Sequence, residues 1–152
     1  MEYKLLTPGP LTTTMAVKER MLFDHCTWDD DCKQITCRIC DGLLLLGHVA
    51  APEYTAVLVQ GNGTFGVESV LTSVIGADEK VLIAANGAYG LRMTDICRHA
   101  GIACTLYEQP NTLHPDAAHI AELLAADPSI THVSMVHSET TSGILNDIEA
   151  VG

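Results

Sequence analysis

The run Gly61-Asn62-Gly63-Thr64 combines residue types suited to holding an anion. Glycines let a backbone approach a charged group closely, and where such a loop opens a helix the unpaired N–H groups and the helix dipole attract negative charge. Extended through Phe65 and Gly66, the run also fits G-x-G-x-x-G, the pattern of a dinucleotide site. That use needs an acid near the end of the next strand to hold a ribose hydroxyl. The next apolar run closes on Ile83-Ala84-Ala85-Asn86, without a carboxylate. The loop taken alone admits three readings: a phosphate cradle, a dinucleotide loop, or a glycine turn that serves close helix packing only. Two further segments follow apolar runs and carry groups that could meet a ligand, Asn86-Gly87-Ala88-Tyr89 and His137-Ser138-Glu139-Thr140-Thr141. Singly, Tyr89 reads as a helix-start aromatic on a core, and the two threonines as turn or helix caps. Convergence of all three segments on one edge would turn them into a phosphate cradle, an aromatic ring and a pair of hydroxyls lining one crevice.

The elements that must position them follow from periodicity. From residue 54 onward, short β-branched apolar runs alternate with longer amphipathic stretches. The pattern predicts strands at 54–60, 81–85, 102–107 and 132–137, with helices at 64–75, 89–99 and 116–126. Pro115 stands where a first helical turn tolerates a missing N–H. Connections of this kind make neighbouring strands parallel and right-handed, so the three segments emerge at the carboxyl ends of strands, where ligands of open α/β folds collect. The expected fold class is α/β, a mostly parallel sheet with flanking helices. Residues 1–50 differ: a Pro-rich opening and two helices, at 15–22 and 34–46, form a short helical N-terminal arm ahead of a sheet domain over 51–152. After the fourth strand the sequence stops as a new apolar element, 144–151, begins.

Composition narrows the classes further. Eight basic residues stand against 19 acidic ones, a net charge of −11, with no run of Lys and Arg and only 5% aromatic residues. Such a chain offers neither a phosphate-neutralising surface nor stacking platforms for nucleic acid. Its 152 residues suit one domain, and the 47% hydrophobic content argues against disorder. Pro8 and Pro10 break the N-terminal stretch before signal-peptide length, and Gly47 and His48 break the run around Leu43-Leu44-Leu45-Leu46 far short of the roughly 20 residues that span a bilayer. A soluble cytoplasmic protein is expected, with Cys26, Cys32, Cys37, Cys40, Cys97 and Cys104 as reduced thiols. Cys37 and Cys40 sit beside no second C-x-x-C, Asp29-Asp30-Asp31 lacks the calcium-loop Gly and terminal Glu, and the seven histidines show no H-x-x-H spacing. No metal is expected. The cysteine pair reads as small apolar residues on a helix, and the acidic run as a solvated or helix-capping turn.

Taken as a set, several blocks resemble the 2-aminoethylphosphonate:pyruvate aminotransferase family, within the class V, fold-type I enzymes that use pyridoxal 5′-phosphate. They are Leu5-Leu6-Thr7-Pro8-Gly9-Pro10-Leu11-Thr12, Met21-Leu22-Phe23-Asp24 with Trp28-Asp29-Asp30-Asp31, Gln60-Gly61-Asn62-Gly63-Thr64-Phe65, Asn86-Gly87-Ala88-Tyr89-Gly90 and Met135-Val136-His137-Ser138-Glu139-Thr140-Thr141. The resemblance implies transfer of the amino group of 2-aminoethylphosphonate to pyruvate, giving phosphonoacetaldehyde and L-alanine, by a homodimer. It implies that Asn62, Gly63 and Thr64 hold the cofactor phosphate, that Tyr89 stacks on the pyridine ring, and that Thr140 bonds the ring oxygen. Position 62 departs from the small residue expected there. The 7–10 block is implied to lie close to the active site. The family's Schiff-base lysine and its pyridine-nitrogen aspartate match nothing among Lys4, Lys18, Lys33, Lys80 and the carboxylates present. The resemblance therefore implies the N-terminal part of a large domain, its cofactor-binding portion incomplete over 51–152, that does not turn over alone. Two alternatives stay open: another class V aminotransferase of the alanine-glyoxylate or serine type, and a non-catalytic α/β module that binds an anion or nucleotide.

Overall fold

Strand β1, Lys80–Ala85, is the strand on which the sheet is built. Its five residues after Lys80 are all buried, as an apolar run with neighbours on both sides and helices on both faces must be. In the computed structural model, which describes residues 3–7, 9 and 11–152, the chain divides into two compact units, Met1–Gln60 and Gly61–Gly152. Residues 51–60 thus group with the N-terminal arm.

The second unit runs α3 (Gly63–Val74), β1, α4 (Ala88–Ala100), β2 (Ala103–Glu108), α5 (Ala117–Ala126) and β3 (Ile130–Met135). The three strands form one parallel sheet in the order β2-β1-β3, with Val81 opposite Cys104 on one side and His132 on the other. The period-2 pleat sends Val81, Ile83 and Ala85 into a core with Leu71 and Ile75 at the end of α3 and Met93 and Cys97 of α4. It sends Leu82 and Ala84 the other way, onto Tyr107 of β2 and Ile120 of α5. The fully buried Leu82 and Ile83 each contribute roughly 1.5–3 kcal/mol of transfer free energy. Helix α4 reaches the sheet only because Gly90 has no side chain, since a Cβ there would lie 2.6 Å from the Ala85 Cβ. The helix ends at Gly101, whose φ of +73° is the left-handed cap that glycine favours. Burial pushes the Cys97 thiol up to about 11, with Cys104 adding to the shift, so Cys97 acts as a small apolar residue. Beyond β3, the two-residue strands β4 (Ser138–Glu139) and β5 (Ile144–Leu145) pair antiparallel, where the sequence predicted only the start of a further element.

At the entering edge of the sheet, Lys80 Nζ donates to Asp127 Oδ2 at 2.7 Å. This bond, followed by those from the Ser129 hydroxyl and N–H, holds the Asp127 carboxyl at about 2, below its ordinary 3.8. A carboxyl whose folded value is depressed stabilises the fold above its unfolded value and loses that contribution as pH falls through the folded one. Lys80→Met is therefore expected to lower the urea midpoint at pH 7 and to have an effect that shrinks as pH falls from about 4 toward 2. An effect equal at pH 7 and at pH 2 would overturn the assignment.

In the first unit, α1 (Met15–Arg20) is capped by the Thr14 hydroxyl, which accepts from the Val17 N–H. Helix α2 (Asp30–Leu46) starts four residues earlier than predicted because Asp30 and Asp31 occupy its first turn, where the dipole favours anions. The acidic run is thus a helix start. The strand predicted over 54–60 does not form. Tyr54, Val57, Leu58 and Val59 are 55%, 77%, 49% and 44% exposed, and no described segment pairs with them. An apolar run becomes a strand only when a neighbour takes up its N–H and C=O groups. Leu6 and Leu11 form an isolated antiparallel bridge around the 7–10 block, and the Leu5 N–H bonds the Thr12 hydroxyl at 2.6 Å. Met1, Glu2, Pro8 and Pro10, on which the reading of the N-terminus rests, lie outside the described residues. Among the described residues no helix is long and apolar enough to cross a membrane.

Candidate functional site

The chain leaves β1 through α4 to reach β2 on one side, then returns through α5 to β3 on the other. The carboxyl end of β1 is therefore the switch point at which open α/β sheets leave a crevice. Residues 86–89 and 137–141 emerge there from β1 and β3, as predicted.

The glycine loop stands at the start of α3. Asn62 is its N-cap, with Oδ1 accepting from the Phe65 N–H at 3.0 Å. The side-chain oxygen at this position is thereby committed to the helix. The N–H groups of Gly63 and Thr64 precede any possible i−4 partner and stay free within the helix. A Cβ on Gly63 would meet nothing within 4 Å, so the space beside these donors is open.

A chain of contacts ties this loop to the other segments. Arg92 NH1 donates to the Thr64 hydroxyl at 3.1 Å, and its guanidinium lies 5.0 Å from the centroid of the Tyr89 ring. One residue before Tyr89, the Ala88 N–H donates to the Thr141 hydroxyl at 3.4 Å, which in turn donates to Glu139 Oε1 at 2.6 Å. Glu139 is fully buried, and its Oε2 has no partner among the described residues. It packs on Gly87, where a Cβ would collide with the Glu139 Cγ and Cδ and lie 2.7 Å from the Thr141 hydroxyl. Thr140 is exposed, and among the described residues its hydroxyl has no hydrogen bond. Thr141 thus serves as the tie between segments, and Thr140 is the hydroxyl left available.

Asn86 and Asn146, 1% and 2% exposed, face each other as a reciprocal amide pair. Asn86 Nδ2 donates to Asn146 Oδ1 at 2.9 Å and Asn146 Nδ2 to Asn86 Oδ1 at 3.0 Å. Each amide also reaches a backbone carbonyl, Leu113 at 2.9 Å and Val136 at 2.7 Å. The pair fixes the end of β1 to the segment that follows β3. Sequence reading missed this pair, as it missed Arg92 and the packing of Glu139. A lone polar residue closing the run Val81–Ala85 was the available signal for Asn86; nothing comparable marked Asn146.

The single lysine of 61–152, Lys80, is held by Asp127 at the edge opposite the crevice, and Lys4, Lys18 and Lys33 belong to the other unit.

No family model matches the chain. Among solved structures, it superposes on the pyridoxamine-pyruvate aminotransferase of Mesorhizobium loti with a TM-score of 0.83 at 26% identity, covering 96% of this chain and 37% of that one. The ureidoglycine-glyoxylate aminotransferase of Bacillus subtilis gives 0.86 at 25% identity, covering 99% and 39%. The fold is that of the aminotransferases. Among curated sequences, the 2-aminoethylphosphonate–pyruvate transaminase of Lysinibacillus sphaericus is 53% identical over 150 residues, and that of Klebsiella pneumoniae 54% over 149. These alignments take in 99% and 98% of this chain but 41% of each relative, so the chain spans about two-fifths of their length. By sequence, the chain is a homologue of one part of the 2-aminoethylphosphonate–pyruvate transaminases.

Proposed function

We propose that this chain is the part of a 2-aminoethylphosphonate–pyruvate transaminase that forms the phosphate- and ring-binding portion of a pyridoxal 5′-phosphate site. The observation that carries the reading is the donor set at the start of α3. Two free N–H groups, a hydroxyl and open space beside Gly63 meet the needs of a phosphate group, and a fixed aromatic ring stands one contact away through Arg92. Gly63 and Thr64 would hold the phosphate through their N–H groups, with Asn62 setting the cap. The Tyr89 ring would lie against the pyridine, and the Thr140 hydroxyl would bond the ring oxygen. When bound, the cofactor supplies an electron sink for the carbanion left as a proton leaves the substrate carbon. The chain's own share of the work is binding and orientation. The reading also carries the amino donor 2-aminoethylphosphonate, the acceptor pyruvate, the products phosphonoacetaldehyde and L-alanine, a cytoplasmic location and a homodimeric form. The donor and acceptor are those in the relatives' names, the products and the homodimer are implied by the resemblance, and the cytoplasmic location rests on the reading of the N-terminal sequence and the thiols.

Two measurements test the reading. Pyridoxamine 5′-phosphate forms no imine with surface lysines, and the chain is expected to bind it saturably at one equivalent, with Thr64→Val weakening binding about tenfold. Absence of saturable binding would overturn the cofactor site. Expressed in its full reading frame, the protein is expected to form L-alanine from 2-aminoethylphosphonate and pyruvate. Activity confined to alanine and glyoxylate would instead support a different class V aminotransferase.

A further inference from the structure

The unit 61–152 is acidic, with three strong cations, Lys80, Arg92 and Arg98, against eleven carboxylates. An anion site within it therefore depends on where those cations are committed. Lys80 is held by Asp127 at the far edge of the sheet, and Arg98 pairs with Asp95 at 3.2 Å in the last turns of α4. Among the described residues Arg92 has no carboxylate within 4 Å, so its charge is uncommitted. It stands one turn into α4, where its side chain reaches both Thr64 and Tyr89.

The chemistry of the contact sets a direction. A guanidinium has donors and no acceptor, so in the bond at 3.1 Å the Thr64 oxygen must accept. The hydroxyl proton of Thr64 is then free to be given to something else, and Arg92 fixes that hydroxyl as a donor. The same planar cation lies over the Tyr89 ring, which restrains the ring plane. We infer that Arg92 is a positioning residue of the phosphate cradle: it orients the Thr64 hydroxyl toward a phosphate monoester at the start of α3, holds the Tyr89 ring, and supplies the cradle's positive charge. This rests on the cofactor-site reading above and deepens it.

The test compares two probes, pyridoxamine 5′-phosphate and pyridoxamine, which differ by the phosphate alone. Binding of each to the native chain, Arg92→Gln and Arg92→Lys is measured by equilibrium dialysis at low and moderate salt. The native chain is expected to prefer the phosphorylated amine. In Arg92→Gln that preference falls by about tenfold or more, as for loss of a charge-assisted interaction, while pyridoxamine, which meets only the loosened Tyr89 ring, loses a smaller factor. Arg92→Lys, which keeps the charge but lacks the planar fork, restores part of the preference and its salt dependence. Circular dichroism and a thermal midpoint confirm that each variant is folded. A native chain that binds both amines equally would overturn the cradle and this assignment with it. Native selectivity retained in Arg92→Gln would overturn the assignment of Arg92 alone. Dependence on Arg92 shown by free 2-aminoethylphosphonate, and not by pyridoxamine 5′-phosphate, would likewise overturn it by placing the cation on a substrate.

Discussion

Replacing Asn146 by leucine is expected to cost about 3–5 kcal/mol, since each buried polar group left without its partner costs about 1–3 kcal/mol and two are stranded. Those two are the Asn86 Oδ1, which loses its donor at 3.0 Å, and the Val136 carbonyl, which loses one at 2.7 Å. Asn86 lies 1% exposed, so water cannot make good the loss without opening the end of β1. Against a total stability of about 5–15 kcal/mol, a loss of this size removes a large share. Removing both amides is expected to cost less than the sum of the single changes, because Asn86→Leu with Asn146→Leu leaves no orphaned amide behind. The coupling should be on the order of 1–3 kcal/mol of non-additivity in a double-mutant cycle read from urea unfolding. An Asn146→Leu variant within 1 kcal/mol of the native chain would show that the pair is a bystander.

Gly87→Ala is the second change with a large expected effect, and here stability and binding fall together. The backbone at Gly87 is extended, so the cost arises from space and not from conformation. The added methyl would collide with the Glu139 side chain, which is fully buried and has nowhere to swing. Overpacking of this kind costs about 1–3 kcal/mol. Displaced, Glu139 would release the Thr141 hydroxyl and N–H that it now accepts from at 2.6 and 3.2 Å. The neighbouring Thr140 would lose its placement. Under the proposed function, affinity for pyridoxamine 5′-phosphate should fall about tenfold beyond any change traceable to unfolding. A Gly87→Ala chain with native affinity and native melting behaviour would sever Glu139 from the site.

Much of this was legible in the residues. The run Val81–Ala85 announced a buried strand because it holds apolar side chains at both parities of the pleat, and Gly61–Thr64 announced a helix start because the cap and the glycines stand at fixed offsets. The 54–60 run looked equally strand-like, yet a strand is a relation between two segments and its sequence carries only one of them. The same limit hid the Asn86–Asn146 pair, whose members are sixty residues apart and acquire meaning only when β1 and β3 lie side by side. In the sequence, Arg92 is one more charge on a helix face. What singles it out is that the other two strong cations of 61–152, Lys80 and Arg98, are paired, and that is a property of three dimensions.

Both ladders of the sheet are made with β1, and the Gln109 N–H adds a further bond to the Ala85 carbonyl at 2.8 Å. No local opening can part β2 from β3 without first breaking the strand that delivers Asn86, Gly87 and Tyr89 to the crevice. Asn86, buried at the end of that strand, is expected to open with the core and not with a surface loop. A ligand would meet this strand end already in place, and would spend little of its affinity on ordering this side of its own site.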